Sequence, residues 1–573
     1  MNAKQAFRIT QYNLASDTQD LKTTKELMEI TIGDLLNDAA ARYRDRNFAV
    51  YSDVPFRVTY YEFLKKVNKI AKGLIKIGVK KGDHIAIWAT NYPEWLLTMF
   101  ASAKIGAVLV TVNTNYKTSE IEYILKQSDT YTLVMINGIK ELNYNEIIQK
   151  IVPELKGSKP GEWKSKKLPE LRNIININNE NIDGIIPWNQ LYQLAEDVSD
   201  EELERRERAV DPHDIASIQY TSGTTGFPKG AMLTHYNIIN NALLVGNCMK
   251  FSEEDILCVT VQFFHCFGIV CSVLACVTHG SSMAPVEHFN PRAVIDTVIK
   301  EKCTALYGVP TMFISILSQP DFKEYNFSSL RTGIMAGSIC PSKLMRQTVD
   351  ELNMREITIA YGQTEAGPVC TQTTTSDSQE LRVSTVGRAL PFVECKIVDP
   401  KTGLECPPNV PGEFIAKGFG VMKGYYNMPE ATARTIKHGW LHTGDLATCD
   451  ENGYYMITGR IKDMVIRGGE NIYPREIEEF LYTHPKISEV QVVGVPSEKY
   501  GEELFAYILP VDGETISEDE VREFASQNLA QYKTPRYIKT IQQFPMTASG
   551  KIQKYKLREM AAIELGLVMA DSK

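Results

Sequence analysis

Residues 220–230 read Tyr220-Thr221-Ser222-Gly223-Thr224-Thr225-Gly226-Phe227-Pro228-Lys229-Gly230. Seven of these eleven are glycine, serine or threonine, and a lysine stands near the exit. The preceding segment, Asp214 to Gln219, is short and partly apolar and predicts a strand. The stretch is therefore a loop leaving a strand. Glycines let such a backbone turn sharply and offer consecutive N–H groups to an anion. The hydroxyls add donors and Lys229 adds a positive charge, which together equip the loop to hold a polyphosphate. A flexible Gly/Ser linker has a similar composition. Linkers do not usually carry a Pro-Lys-Gly exit followed by a fresh apolar run, here Ala231 to Leu233. The ordinary P-loop needs Gly-Lys-Ser/Thr, and no GxGxxG follows a strand, so a dinucleotide-binding fold has no support.

The whole chain bounds the reading. At 573 residues it is too long for one ordinary core, so two or more domains are expected. Apolar content of 43% and charged content of 23% are those of a soluble globular protein. A net charge of −8 with no basic domain argues against a nucleic-acid protein. The longest apolar run, Phe267 to Val277, is too short to span a bilayer, so no integral membrane segment is expected. The N-terminus lacks both an apolar signal core and an Arg-rich transit pattern. All eleven cysteines lie between Cys248 and Cys449. Cys266, Cys271 and Cys276 are evenly spaced in an apolar segment. A metal site is one reading of them; buried core thiols in a reducing cytoplasm are the better one.

Strand and helix patterns alternate. Helical spacing covers Ile32 to Arg44. Thr59 and Glu62 form a capping box ahead of Phe63, Leu64, Val67, Ile70, Leu74 and Ile75. Strands are expected at 83–88, 107–112 and 130–136, with helices at 93–104 and 119–126 between them. The pattern predicts an α/β fold of layered subdomains with parallel strands. The charge run from Asp200 to Arg208 reads as a solvated helix. Residues 306–313 and 334–338 look like strand ends opening into loops. Strands at 488–495, 504–509 and 537–542 and a helix at 517–529 make a second, smaller α/β domain.

Four further motifs follow the loop: Gln262-Phe-Phe-His265-Cys-Phe-Gly268; Tyr361-Gly-Gln-Thr-Glu365; Gly439-Trp-Leu-His-Thr-Gly-Asp445-Leu446; and Gly459 to Pro474, which contains Arg460, Lys462, Gly468, Gly469 and Glu470. A lysine sits in the Gly/Ser loop Pro545 to Lys554. Alone, each has an ordinary explanation: a core histidine, a turn, a solvated lysine. A carboxylate beside a hydroxyl suits a hard divalent ion, and a carboxylate can accept two ribose hydroxyls.

Together with the loop, these motifs resemble the adenylate-forming enzymes: acyl-CoA synthetases, carrier-loading adenylation domains and luciferases. The resemblance runs from about residue 30 to residue 562. It is closest to fatty acyl-CoA synthetases of the family-member-2 medium-chain type, through Tyr307 to Phe313, Gln319 to Phe322 and Ser549 to Arg558. It implies a large ATP- and acid-binding domain, 1–461, and a small mobile domain, 462–573, that swings about Lys462. It implies that ATP is held by Thr221, Ser222, Gly223, Thr224, Thr225, Gly226, Lys229, Gly337, Ser338, Tyr361, Gly362, Gln363, Thr364, Asp445 and Arg460. Mg²⁺ falls to Glu365 with Thr221, and CoA to Gly468, Gly469 and Glu470. Lys551, Thr364, Glu365 and His265 take the catalytic roles. Phe263, His265, Val309, Met335, Ala336 and Gly362 are candidates for the acyl pocket. Acetate-activating relatives carry tryptophan where this chain has Gly362, so the missing side chain is expected to leave room for a medium-chain acid.

The implied activity is AMP-forming ligation of a carboxylic acid to CoA in the cytoplasm, as a bacterial-type enzyme, with a homodimer compatible with the resemblance. A carrier-loading protein would keep the first step, but no carrier domain follows before Lys573; an aromatic acid–CoA ligase would share Gly362. Light emission would mark a luciferase. A non-catalytic nucleotide sensor is expected to lack Lys551, Glu365 or Lys229, and all three are present.

Overall fold

Thr59 and Glu62 close the expected capping box. The Glu62 backbone N–H donates to Thr59 Oγ1 at 3.2 Å, and the Thr59 N–H to Glu62 Oε2 at 2.9 Å. The helix they start, Tyr60–Lys76, buries Phe63, Val67, Ile70 and Leu74. These observations come from a computed structural model that describes residues 26–221, 228–338, 340–468, 470–547 and 550–567. Thr31 and Asp34 form a second box under helix Ile32–Arg42, and Pro93 opens helix Pro93–Lys104. The charged run forms helix Asp200–Arg208, with Leu203 as its buried residue. Its Glu207 turns inward to pair with Lys104 at 2.7 Å.

Two large sheets carry the main body. In the eight-stranded one, Ile215–Thr221, Val108–Thr111, His84–Trp88, Thr130–Met135 and Asn173–Asn176 are successive parallel neighbours. The edge is different. Lys229–Thr234 folds back antiparallel on Ile215–Thr221, and Gly424–Tyr425 pairs antiparallel outside it. The Gly/Ser/Thr loop therefore joins two paired strands, with Thr221 opposite Lys229. Residues 222–227 of that loop lie outside the described residues.

The nine-stranded sheet runs parallel through Glu356–Gly362, Thr332–Met335, Ala305–Gly308, Ile256–Val259 and Ser282–Pro285. The two sheets share one apolar cluster, which takes Ile85, Val110 and Ile218 from the first and Tyr307, Ile334 and Ala360 from the second. The far face of the nine-stranded sheet has its own core, including Leu306, Met335, Ile357 and Ile359. Ala305–Gly308 does not open into a loop as expected: Val309 caps the helix Pro310–Leu317 directly. The apolar run after His265 forms a π-helix, Phe267–Leu274, continued by Ala275–His279. Cys266, Cys271 and Cys276 are free and buried, as the core-thiol reading expects. Among the described residues no helix is long and apolar enough to cross a membrane.

A third, antiparallel sheet holds Gly412–Gly418, Trp440–Cys449 and Tyr455–Arg460. Beyond it, two small clusters take buried side chains only from Val465 onward. They pack around Ile487–Ser497, Gly501–Pro510 and the parallel Tyr537–Thr540. This part touches the main body where Thr311 Oγ1 donates to the Gly550 carbonyl at 3.2 Å.

Candidate active site

The antiparallel edge of the eight-stranded sheet builds one wall. Thr221 Oγ1 donates to Glu365 Oε1 at 3.3 Å. Glu365 sits in the 3₁₀ turn Thr364–Ala366 that ends the strand Glu356–Gly362, so the two sheets meet here. Tyr425 OH donates to the same Oε1 at 2.8 Å, and the Lys229 ammonium lies 4.7 Å from the centre of the Tyr425 ring. Both hydrogen bonds to this carboxylate among the described residues end on Oε1.

The antiparallel sheet builds the opposite wall. Strand register places Asp445 across from Arg460. Arg460 Nε meets Asp445 Oδ1 at 3.0 Å, and Tyr361 OH donates to Oδ2 at 2.9 Å. Burial pushes the Asp445 carboxyl up, with the Arg460 guanidinium opposing it. The loop before Asp445 is pinned by Glu413, which accepts the Gly444 N–H at 3.1 Å and pairs with His442 at 2.9 Å.

Between the walls lies Lys551. Its aliphatic stem passes Gly337 so closely that a Cβ there would sit 3.3 Å from Lys551 Cε and 3.0 Å from Val309 Cγ1. Gly337 also has φ +88°, a left-handed backbone that favours glycine. Burial lowers the pKa of the Lys551 ammonium, and the charges of Asp445, Glu365 and Arg460 all reach it. His265 completes the centre. Its Nδ1 accepts the Phe267 N–H at 3.2 Å, and Cys266 Sγ lies 3.5 Å from that nitrogen and from Thr364 Oγ1. Burial, aided by Lys551, pushes His265 down to about 3. The ring is neutral at working pH, and with Nδ1 accepting, its proton is on Nε2.

The structure thus brings together Thr221, Lys229, Glu365, Thr364, His265, Tyr361, Asp445, Arg460, Gly337 and Lys551. Ser338 and Gln363 flank them on the same loops. Ser222, Gly223, Thr224, Thr225, Gly226 and Gly469 lie outside the described residues. Gly468, with φ +61°, and Glu470 stand apart on the small part's own hairpin, where the Gly468 N–H donates to the Tyr500 carbonyl at 2.8 Å. Lys462 lies in the turn Ile461–Asp463, and its carbonyl accepts Arg558 Nη2 at 3.0 Å.

Two expectations about the acyl pocket need correction. Met335 belongs to the far core of its sheet, whereas Phe263, Val309 and Ala336 belong to the shared cluster. Strand alternation turns Met335 away and gives the inward place to Ile334. Gly362 is exposed, but a Cβ there would meet the Pro368 carbonyl oxygen at 2.0 Å. The Pro368 backbone beside it favours glycine here, and a side chain would have to displace that backbone before it could bear on the space for an acid. The sequence reading also missed Tyr425, Glu413 and Cys266. Cys266 was the legible one, adjacent to His265; the other two act across strand pairs far apart in sequence.

These walls and the lysine between them gather the basic, acidic and hydroxyl groups of an enzyme's active centre, and the chain belongs to the AMP-binding enzyme family. The description "AMP-binding enzyme" matches residues 36–426, and "AMP-binding enzyme C-terminal domain" matches residues 476–551. The chain is 54% identical to a Bacillus subtilis (strain 168) protein that carries the provisional name acyl-CoA synthetase YngI, over 93% of this chain and 97% of that one. It is 39% identical to the mouse mitochondrial medium-chain acyl-CoA ligase ACSF2, over 95% of this chain and 90% of that one. Among solved structures, the anthranilate CoA ligase AuaEII in complex with anthranoyl-AMP superposes with a TM-score of 0.82 at 25% identity, covering 96% of this chain and all of that one.

Proposed function

We propose that this enzyme is an ATP-dependent acid–CoA ligase that works through an acyl-adenylate, with a medium-chain fatty acid as its substrate. The observation that carries the reading is Lys551, held between the Glu365 and Asp445 walls beside Gly337. In the first step a carboxylate oxygen attacks the α-phosphorus of ATP and pyrophosphate leaves. In the second the CoA thiol attacks the acyl carbon, loses its proton, and AMP leaves. An acid and a triphosphate repel, so the site must offset negative charge. Lys229 faces the β- and γ-phosphates, and Lys551 bridges the acid and the α-phosphate with Thr364 beside it. His265 donates from Nε2 to the acid. Asp445, with one lone pair on each oxygen already engaged, accepts the ribose hydroxyls, and Gly337 and Ser338 lie along the base. Such preorganised groups act strongly because they need not reorient during reaction.

Glu365 and Thr221 fit Mg²⁺: a buried carboxylate and a hydroxyl are hard oxygen donors, and no cluster of three or more His, Cys, Asp or Glu competes for a metal among the described residues. When bound, Mg²⁺ would neutralise phosphate charge.

We place the domain boundary at 461/462, with the small domain turning about Lys462 to exchange the Lys551 loop for the Gly468–Glu470 hairpin when CoA enters. Cytoplasmic placement accords with eleven free thiols. The medium-chain assignment draws on the name of the mouse relative, a medium-chain acyl-CoA ligase.

The test is pyrophosphate release across acids from acetate to long-chain and aromatic, with the CoA thioester identified by mass. Octanoate should exceed both acetate and benzoate. Release without any thioester would favour a carrier-loading enzyme, and a preference for benzoate an aromatic acid ligase.

A further inference from the structure

Tyr425 lies outside every motif read from the sequence, yet it touches both charged groups of the phosphate wall. Its backbone is fixed twice. It pairs with Ala231 across the sheet edge, and its N–H donates to Thr432 Oγ1 at 2.9 Å. Gly424, with φ +141°, lies so close to Thr432 that a Cβ would meet its Cγ2 at 2.9 Å, so this short strand is seated tightly on the helix Pro429–Thr435. The residue is 5% exposed. Its hydroxyl donates to Glu365 Oε1 at 2.8 Å, while its ring lies 4.7 Å from the Lys229 ammonium. One rigid aromatic group therefore serves the carboxylate with its polar tip and the ammonium with its π surface.

That arrangement solves a problem created by the site itself. A lysine and a carboxylate in one poorly solvated cleft attract each other strongly. A direct ion pair would spend the lysine charge and the carboxylate lone pairs on each other. Both are needed by the incoming nucleotide and its metal. A phenol that touches both holds each without neutralising either: its hydroxyl uses one carboxylate oxygen, and its ring meets the ammonium without bringing a negative charge to it. Phenylalanine would keep the ring and lose the tip; leucine would lose both.

We infer that Tyr425 is a positioning residue that holds Glu365 and Lys229 in their MgATP-receiving arrangement and keeps them from pairing with each other. The inference rests on the proposed roles of these two residues.

The test is calorimetric binding of ATP to the full chain, with and without Mg²⁺, in the absence of acid and CoA. Tyr425→Phe should weaken MgATP binding about tenfold, the scale of a lost charge-assisted hydrogen bond, and change metal-free ATP binding less than about twofold. Tyr425→Leu should weaken both. In a Glu365→Ala background, Tyr425→Phe should have no further effect on MgATP, since the acceptor of the hydroxyl is already gone. Thermal melts of each variant accompany the binding. Equal loss of MgATP and metal-free ATP binding in Tyr425→Phe, unchanged MgATP binding, or an undiminished effect in the Glu365→Ala background would each overturn the inference. Failure of the ligase reading shows separately, as wild-type protein that binds MgATP but releases no pyrophosphate with any acid.

Discussion

Replacing Lys551 with alanine should separate the two half-reactions. The loop that carries the lysine is anchored to the main body by the Thr311–Gly550 hydrogen bond, and the stem runs between Val309 and Gly337. The ammonium is thus delivered by backbone contacts that the substitution leaves intact. Removing one preorganised charge from such a site costs about 10²–10³ in rate, or roughly 3–4 kcal/mol. Stability should not follow. Burial lowers the lysine pKa, so the fold disfavours its charged form, and deleting the ammonium relieves a cost. The melting temperature should be equal or higher. The assay is pyrophosphate release from octanoate and ATP, set against thioester formation from supplied octanoyl-adenylate and CoA. The first should collapse and the second survive, as the proposed rotation about Lys462 would carry the lysine loop away before CoA reacts. A pH profile adds an independent arm. The wild-type first step needs the protonated lysine and should fall as pH rises, earlier than a lysine of ordinary pKa would impose. The variant's residual rate should lack that limb. Equal loss of both half-reactions, or the same alkaline limb in the variant, would refute the assignment.

Lys462→Pro restricts φ at the proposed pivot. Adenylate formation should persist while transfer to CoA slows at least tenfold in single-turnover measurements; an unchanged transfer rate would move the hinge elsewhere. Gly362→Trp should not convert the enzyme to acetate. Its Cβ would collide with Pro368 O, so the expected result is a lower melting temperature and reduced kcat/KM for acetate and octanoate alike. A well-folded variant that prefers acetate would restore the pocket role of this position. Glu489 offers a pH test of the small domain: burial, with Glu478 adding to it, raises its carboxyl to about 7. Below the ordinary carboxyl range both folded and unfolded chains are protonated. As pH rises toward 7 the unfolded chain releases a proton that the fold retains, and stability falls by at most about 3 kcal/mol. Glu489→Gln should therefore be more stable than wild type at pH 8 and similar at pH 4.5 in denaturant titrations. An equal difference at both pH values would show that the carboxyl does not titrate this way.

Local chemistry made much of this protein legible in its sequence. Thr59 and Glu62 are three residues apart, Pro93 opens its helix, and the spacing of Phe63, Val67, Ile70 and Leu74 marks one buried face; these signals act over a turn or two and need no tertiary context. The motifs around Lys229, Glu365, Asp445 and Lys551 were readable for the same reason: each carries its chemistry in a few adjacent residues. What required the fold were relations between strands distant in sequence. Tyr425 reaches Glu365 only because Gly424–Tyr425 pairs beside Lys229–Thr234, and Glu413 reaches the Asp445 loop only through strand pairing. Direction was the other unknown. Sequence spacing puts Met335 and Gly362 near the site, but which way a Cβ points depends on strand alternation and on what packs behind it. Met335 turns to the far core, and Gly362 owes its identity to the Pro368 carbonyl 2.0 Å from where a side chain would begin.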